Sequence, residues 1–246
     1  MRVALLITTL VVALVATPTQ SYRVIRSIPH DSKAFTQGLL YSAGSLWEST
    51  GTPGGGTRVR EINTANGEVI QSTPRDDSYF GEGLAADDMN LYQLSWKRGE
   101  LKIFSYPKLT FVTSIPYTGE GWGLTLNDSN LFIMSNGSDT ITLRDSKFSV
   151  VKRVPIKDSD KPLKEINELE WANQKLYANI WYSDSIAVID LDSGEVMSYI
   201  NLKPLRLKAQ ATDQNQVVNG IAHLKDNQFW VTGKFWSKIF LIELTN

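Results

Sequence analysis

A short motif recurs five times along the sequence, and this repeat restricts the possible fold more than any other feature. In each copy a variable residue precedes a small or polar residue and then Leu or Ile, and the copies follow one another about every 40–50 residues. The five copies are Phe35-Thr36-Gln37-Gly38-Leu39, Phe80-Gly81-Glu82-Gly83-Leu84, Gly121-Trp122-Gly123-Leu124, Ile166-Asn167-Glu168-Leu169 and Val218-Asn219-Gly220-Ile221. A fixed period of this length is typical of repeat architectures.

Each motif opens a series of short β-rich runs that are separated by Gly, Asn, Asp, Ser and Pro. About four strands per repeat, in five repeats, predict an all-β fold, namely a five-bladed β-propeller. The last repeat, from Val218, holds only three candidate strands. We expect the segment Tyr22–Arg26 to pair with that C-terminal blade, which would close the ring and cover an exposed edge. The predicted propeller domain is residues 21–246.

Residues 1–20 differ from the rest of the chain. Arg2 precedes an apolar run that ends at Val15, and small residues follow it. This pattern is typical of a signal peptide, and the run is shorter than the ~20 residues that a membrane span needs. We therefore expect a secreted or periplasmic protein with no integral membrane association after cleavage. An uncleaved anchor is the alternative.

The composition excludes several kinds of partner. The chain has no cysteine and only two histidines, which lie far apart in the sequence, so we expect no zinc site. We also expect no other cofactor, because the reaction considered below requires none. The formal net charge of −1 gives no reason to expect nucleic acid as a partner. We expect a monomer.

The repeat predicts where a site should lie. A hairpin brings the start of its first strand and the end of its second strand to the same side. The variable residues therefore form one ring around a mouth of the channel, and the residues that end the second strands form another. The first ring is Gln37, Glu82, Trp122, Asn167 and Asn219, and the second is Gly51, Trp96, Asn136, Trp181 and Lys234.

The two rings hold three of the seven tryptophans, one carboxylate and one ammonium group. A concave mouth with an aromatic lining and a few polar groups is suited to binding a small ligand. The alternative for any single amide is that it only caps a strand end, because polar residues are common there. Trp47 and Trp230 lie inside second strands and are expected to be packing residues.

Several of these segments together resemble the plant and bacterial glutaminyl-peptide cyclotransferases, and the resemblance spans roughly residues 25–246. The segments that carry it are Phe35–Leu39, Glu48–Gly51, Phe80–Leu84, Gly119–Leu124, Asn167–Trp171, Ala178–Trp181, Val218–Ala222 and Thr232–Trp236. The resemblance implies a five-bladed propeller, which agrees with the repeat count. It also implies that Glu82 is the catalytic acid/base. The substrate pocket would contain Gln37, Asn167 and Lys234 as polar groups and Phe35, Phe80, Trp96, Trp122 and Trp181 as an aromatic wall.

The implied reaction converts the N-terminal glutamine of a peptide or protein to pyroglutamate and releases ammonia. Glu82 would take a proton from the α-amine and return it to the leaving ammonia. Lys234, with Asn167 or Gln37, would stabilise the developing oxyanion. The reaction requires no metal.

Two other functions remain open at this point. A non-catalytic secreted propeller could bind a peptide or a sugar at the same mouth, because one fold can serve many functions. A sugar-binding module would more often carry equivalent sites, whereas these ring residues differ in every repeat. A metal-dependent propeller lyase or hydrolase is disfavoured by the scarcity of histidines.

Overall fold

The computed structural model describes residues 16–51 and 56–245, and in that part of the chain almost all regular structure is β. It contains 22 strands and one short helix, α1 (Lys203–Lys208). None of the helical structure in residues 16–51 and 56–245 is long and apolar enough to cross a membrane. The prediction of an all-β fold from the β-rich runs and turn residues of the sequence is therefore correct.

Most strands form groups of four that are consecutive in the chain and antiparallel. After β1 (Thr19–Pro29), the first group is β2 (Thr36–Ser42), β3 (Ser45–Thr50), β4 (Arg58–Ile62) and β5 (Val69–Ser72). The second is β6 (Gly81–Ala86), β7 (Asn90–Ser95), β8 (Glu100–Ser105) and β9 (Phe111–Pro116). The third is β10 (Leu124–Leu126), β11 (Phe132–Met134), β12 (Thr140–Arg144) and β13 (Val150–Pro155).

The remaining strands belong to one larger sheet. Two short strands, β14 (Lys157–Asp158) and β15 (Lys161–Pro162), come first, and the fourth group of four along the chain follows them. That group is β16 (Ile166–Ala172), β17 (Lys175–Ile180), β18 (Ser185–Asp190) and β19 (Glu195–Asn201). The last three strands are β20 (Val218–Lys225), β21 (Gln228–Gly233) and β22 (Lys238–Thr245).

Strand β1 supplies a fourth strand to this last group. It runs antiparallel to β22, with Tyr22 opposite Leu244 and Ile28 opposite Ile239. The predicted pairing of the N-terminal segment with the C-terminal strands is therefore present. Residues 1–15 of the predicted signal peptide lie outside the described part of the chain. Thr19 and Gln20 pair in parallel with β19, so the strand begins two residues before the predicted domain boundary.

The first strands of the five groups pack against one another in chain order. Strand β2 contacts β6, β6 contacts β10, β10 contacts β16, β16 contacts β20, and β20 contacts β2. Glycine makes this approach possible. A Cβ atom on Gly38 would lie 2.7 Å from the main-chain nitrogen of Leu84, and one on Gly83 would lie 2.4 Å from that of Leu124. The Gly that follows Gln37 and Glu82 in the motif therefore serves strand packing.

The hydrophobic core lies between neighbouring groups. One cluster joins Trp47 of β3 to Leu84 and Leu91 of the second group. Another joins Leu46 of the first group to Trp230 of β21. Trp47 and Trp230 are each 1% exposed, so they are packing residues, as predicted. Full burial of a large apolar side chain contributes roughly 1.5–3 kcal/mol.

The strand register confirms that the two predicted rings lie at the same ends of the hairpins. Ile166, which precedes Asn167, is opposite Ile180, which precedes Trp181. Val218, which precedes Asn219, is opposite Gly233, which precedes Lys234. The sequence repeat therefore locates one face of the molecule where the candidate residues meet.

Candidate active site

The polar residues of the first ring share one local structure. Gln37, Glu82, Asn167 and Asn219 are each the second residue of their strand, and the hairpin register shifts at each of these positions. Such β-bulges are frequent next to active sites, because they redirect a side chain away from the regular ladder. All four side chains are buried. The bulges thus place a carboxyl group and three amides together on one face.

Glu82 is the acidic group of this set, and its side chain is 4% exposed. Burial raises the pKa of its carboxyl well above the usual value, and the charge of Glu120 raises it further. The charge of Lys234 and an interaction with the Gln37 amide oppose this rise. A carboxyl group with a raised pKa is suited to holding and releasing a proton near neutral pH.

Lys234 directly follows β21 and is also 4% exposed. Burial lowers the pKa of its ammonium group to about 8, although the charge of Glu82 opposes this change. Its Nζ atom lies 4.5 Å from the centroid of the Phe35 ring. A cation over an aromatic face is stabilised electrostatically. Glu82 and Lys234 are therefore a buried acid and a buried base that influence each other, and burial shifts their pKa values towards each other.

The amides lie beside this pair. Nδ2 of Asn219 donates to the main-chain oxygen of Thr36 at 2.9 Å and to Oε1 of Gln37 at 3.3 Å. The amide nitrogen of Gln37 is therefore the atom that can donate a hydrogen bond to the Glu82 carboxyl. Among the described residues, the Oδ1 atom of Asn167 is buried without a hydrogen-bond partner. Buried polar atoms are rarely unpaired, so Asn167 is suited to contacting a bound ligand.

The aromatic side chains form two half-buried clusters. In one cluster the ring centroids of Phe35 and Phe80 are 6.0 Å apart, and those of Phe80 and Trp96 are 5.7 Å apart. In the other, the rings of Trp122 and Trp181 are 5.3 Å apart and nearly perpendicular. The structure thus brings together the aromatic residues that the sequence assigns to the wall.

Three residues of the wall were missed by sequence analysis. Phe235 packs against Phe35 at 5.1 Å, and Tyr182 stacks on Trp181 at 4.6 Å. Each follows a residue of the second ring, so extending that ring by one position would have found both. Glu120 receives hydrogen bonds from two wall tryptophans. It lies inside one of the motifs, but its contacts depend on loop geometry.

Two other carboxyls, those of the buried Glu168 and the half-buried Glu170, have a different environment. Glu168 accepts hydrogen bonds from the main-chain nitrogens of Leu39 at 3.2 Å and Ile221 at 3.0 Å. Glu170 accepts one from His223 at 2.9 Å. Both carboxyls are therefore engaged in holding neighbouring strands together. Across residues 16–51 and 56–245, Glu82 accepts no such backbone hydrogen bond, so of these three carboxyls it is the one left for chemistry.

A buried charged network lies behind the site. Oε1 of Glu48 is 3.0 Å from Nε2 of His30 and accepts a hydrogen bond from Thr36 at 2.6 Å. Its Oε2 accepts two from the guanidinium of Arg60. Nδ1 of His30 contacts the main-chain oxygen of Trp236 at 2.9 Å. The network therefore connects the segment before Gln37 to the segment after Lys234.

Together the fold and this face define an all-β protein with a buried acid–base pair under an aromatic wall. The sequence profile of the glutamine cyclotransferase family matches residues 2–244. The chain belongs to that family, as its motifs predict.

Two relatives support this assignment. An Arabidopsis thaliana protein described as a glutaminyl-peptide cyclotransferase is 34% identical over 227 residues, which cover 90% of this chain and 70% of the relative. The crystal structure of Myxococcus xanthus glutaminyl cyclase is 33% identical and superimposes with a TM-score of 0.85. That match covers 93% of this chain and 100% of the Myxococcus chain.

Proposed function

We propose that this chain is a glutaminyl-peptide cyclotransferase, which converts the N-terminal glutamine of peptides or proteins to pyroglutamate and releases ammonia. Family membership supports the reaction. The observation that carries the assignment to this face is the buried pair of Glu82 and Lys234 under the aromatic wall.

The reaction needs one proton carrier. The α-amine nitrogen attacks the side-chain amide carbon of the same glutamine, which forms a new carbon–nitrogen bond and a tetrahedral oxyanion. Glu82 takes a proton from the attacking nitrogen and gives it to the amide nitrogen, which then leaves as ammonia. Both steps use one group, whose pKa must lie close to the working pH so that it can both accept and donate a proton. Burial raises the pKa of Glu82 from its usual acidic value, which supports this role.

The other residues act on charge and geometry. Lys234, with the amide of Asn167 or Gln37, stabilises the oxyanion through preorganised hydrogen bonds and charge. The rings of Phe35, Phe80, Trp96, Trp122 and Trp181 exclude water and hold the glutamine side chain folded towards the α-amine. Holding two reacting groups in contact lowers the barrier of an intramolecular attack.

We also propose that the five groups of strands are the blades of a closed five-bladed propeller. The chain-order packing of the first strands, with β20 against β2, supports this architecture. The pairing of β1 with β22 supports a closure in which the N-terminal strand completes the last blade. The apolar N-terminal segment supports export, so we propose that the enzyme works in a secreted or periplasmic location. We also propose that it is a monomer.

The direct test is turnover of a peptide that begins with glutamine. Purified protein should release ammonia and convert the peptide to its pyroglutamyl form, whereas the same peptide with N-terminal asparagine should be processed far more slowly. The non-catalytic alternative gives a different result. A binding protein would retain the glutamine peptide without releasing ammonia, and this outcome would refute the enzymatic assignment.

Turnover is expected to be unchanged after treatment with a strong chelator. The sequence has two histidines and no cysteine. The part of the chain that the structure describes holds no cluster of three or more His, Cys, Asp or Glu side chains suited to a metal. Initial rates should therefore be the same with and without EDTA. Inactivation by EDTA that added zinc reverses would contradict this prediction.

A further inference from the structure

We propose that Glu120 is a positioning residue of this site. Its carboxylate joins the two aromatic clusters of the wall, and its negative charge acts on Glu82 in the opposite direction to the positive charge of Lys234. This inference rests on the proposed cyclotransferase function. It concerns a residue that neither ring contains.

The hydrogen bonds of Glu120 connect the two clusters. Its Oε2 atom accepts the indole N–H of Trp96 at 2.8 Å and that of Trp122 at 3.2 Å. Trp96 belongs to the cluster with Phe80, whereas Trp122 belongs to the cluster with Trp181. One carboxylate oxygen thus fixes the orientation of both halves of the wall.

The surrounding loop is shaped to deliver this carboxylate. Gly119 has a φ of +97°, a conformation that favours glycine. A Cβ atom on Gly121 would lie 2.3 Å from the hydroxyl of Tyr117, so this position also needs glycine. The main-chain nitrogen of Gly121 donates to the main-chain oxygen of Trp96 at 3.0 Å. Side-chain and main-chain bonds therefore both attach the loop to Trp96.

The charge of Glu120 acts on the proposed proton carrier. The charged and titratable groups that act on or respond to Glu82 are Lys234, Glu120 and Tyr117. Burial has the largest effect on the pKa of Glu82, and among these charges Lys234 lowers it while Glu120 raises it. Lys97 lies beside Glu120, with its Nζ atom 3.9 Å from Oε1 and 4.1 Å from the Trp96 ring centroid. Glu120 therefore helps Glu82 to hold a proton at the pH where ammonia leaves.

The first test removes the charge and keeps the shape. In Glu120→Gln, Glu82 should lose its proton more easily, so the acidic limb of the kcat/KM profile should move to lower pH by roughly half a unit. Lys234→Met, measured on its residual activity, should move the same limb to higher pH. The α-amine of the substrate titrates identically in all assays, so differences between the profiles report on the enzyme.

The second test removes the bridge. Glu120→Ala removes the acceptor of both indole N–H groups, so the two clusters lose their fixed orientation and KM for a glutamine peptide should rise by roughly 10-fold. The matched control is Glu100→Gln, because Glu100 is a carboxylate whose ion pairs within the described residues are with Arg98 at 2.9 Å and Lys102 at 3.6 Å, neither of which belongs to the wall. It should leave KM and the pH profile unchanged.

The outcomes separate this inference from the proposed function. If the wild type releases no ammonia, the proposed function fails. If the wild type is active but Glu120→Gln leaves the acidic limb in place or moves it upward, the charge role is wrong. If Glu120→Ala leaves KM unchanged, the bridging role is wrong. Should the alanine variant unfold, Glu120→Gln still decides the charge role, and the KM of Glu120→Met, which keeps the length of the side chain but carries no oxygen acceptor, decides the bridge.

Discussion

Replacing Glu82 with glutamine is expected to lower the turnover of a glutamine peptide by at least about 10²-fold, the usual scale for the loss of general acid–base catalysis. Glutamine has the size of glutamate but cannot carry the transferred proton. The aromatic wall and Lys234 remain in place, so KM should change by no more than a few-fold. Steady-state ammonia release, with KM and kcat determined separately, measures both quantities.

The structure identifies the better control for this experiment. Glu170 is a half-buried residue whose partial burial raises the pKa of its carboxyl to about 8, and it accepts a hydrogen bond from the main-chain nitrogen of His223. The amide oxygen that Glu170→Gln introduces can keep that bond, so this variant should stay folded and active. Glu168→Gln is less suitable, because both oxygens of Glu168 accept main-chain N–H groups and an amide nitrogen would replace one acceptor.

Near-normal turnover in Glu82→Gln with an inactive Glu170→Gln would place the proton carrier in another repeat. Normal turnover in both variants would contradict a ring carboxylate as the carrier.

The ring residues could be predicted because a repeat fixes local structure. Four ring residues each follow the first residue of a strand and lie in the bulge of their own hairpin, namely Gln37, Glu82, Asn167 and Asn219. Equivalent positions in the repeat therefore become equivalent positions in the structure. Hairpin geometry then brings Lys234 to the same face. No knowledge of long-range packing is needed for these inferences.

The rest of the site could not be predicted in this way, because it depends on contacts that do not repeat. Glu120 reaches two tryptophans through a single glycine-shaped loop. Glu48 lies in the middle of a strand and meets His30 and Arg60, which belong to separate segments. Periodicity identifies strands and their ends, but it does not indicate which charged side chains meet across them.

The buried network around Glu48 provides the largest expected effect on stability. Glu48→Gln is expected to lower the free energy of unfolding by about 3 kcal/mol, because among the described residues it leaves the buried Arg60 guanidinium with only the partly exposed Asp31 as a charged partner. For a chain of this size, that loss corresponds to a fall in Tm of roughly 6–12 °C. Urea unfolding at neutral pH measures the difference directly. The matched control is Asp77→Asn, which breaks an exposed ion pair with Arg75 and should cost less than about 1 kcal/mol.

The same network predicts how this difference depends on pH. Burial alone would raise the pKa of Glu48, but Arg60, His30 and the Thr36 hydroxyl outweigh it and hold the pKa well below its usual value of 4.5. In the unfolded chain Glu48 therefore binds a proton as the pH falls through that usual value, while in the folded chain it stays ionised. The stabilisation is present above the unfolded pKa and is lost as the pH falls towards the folded one. The gap in unfolding free energy between wild type and Glu48→Gln should accordingly narrow below about pH 4.5. A gap that is constant with pH, or no larger than that of Asp77→Asn, would mean that the ion pair does not stabilise the connection between the segments that carry Gln37 and Lys234.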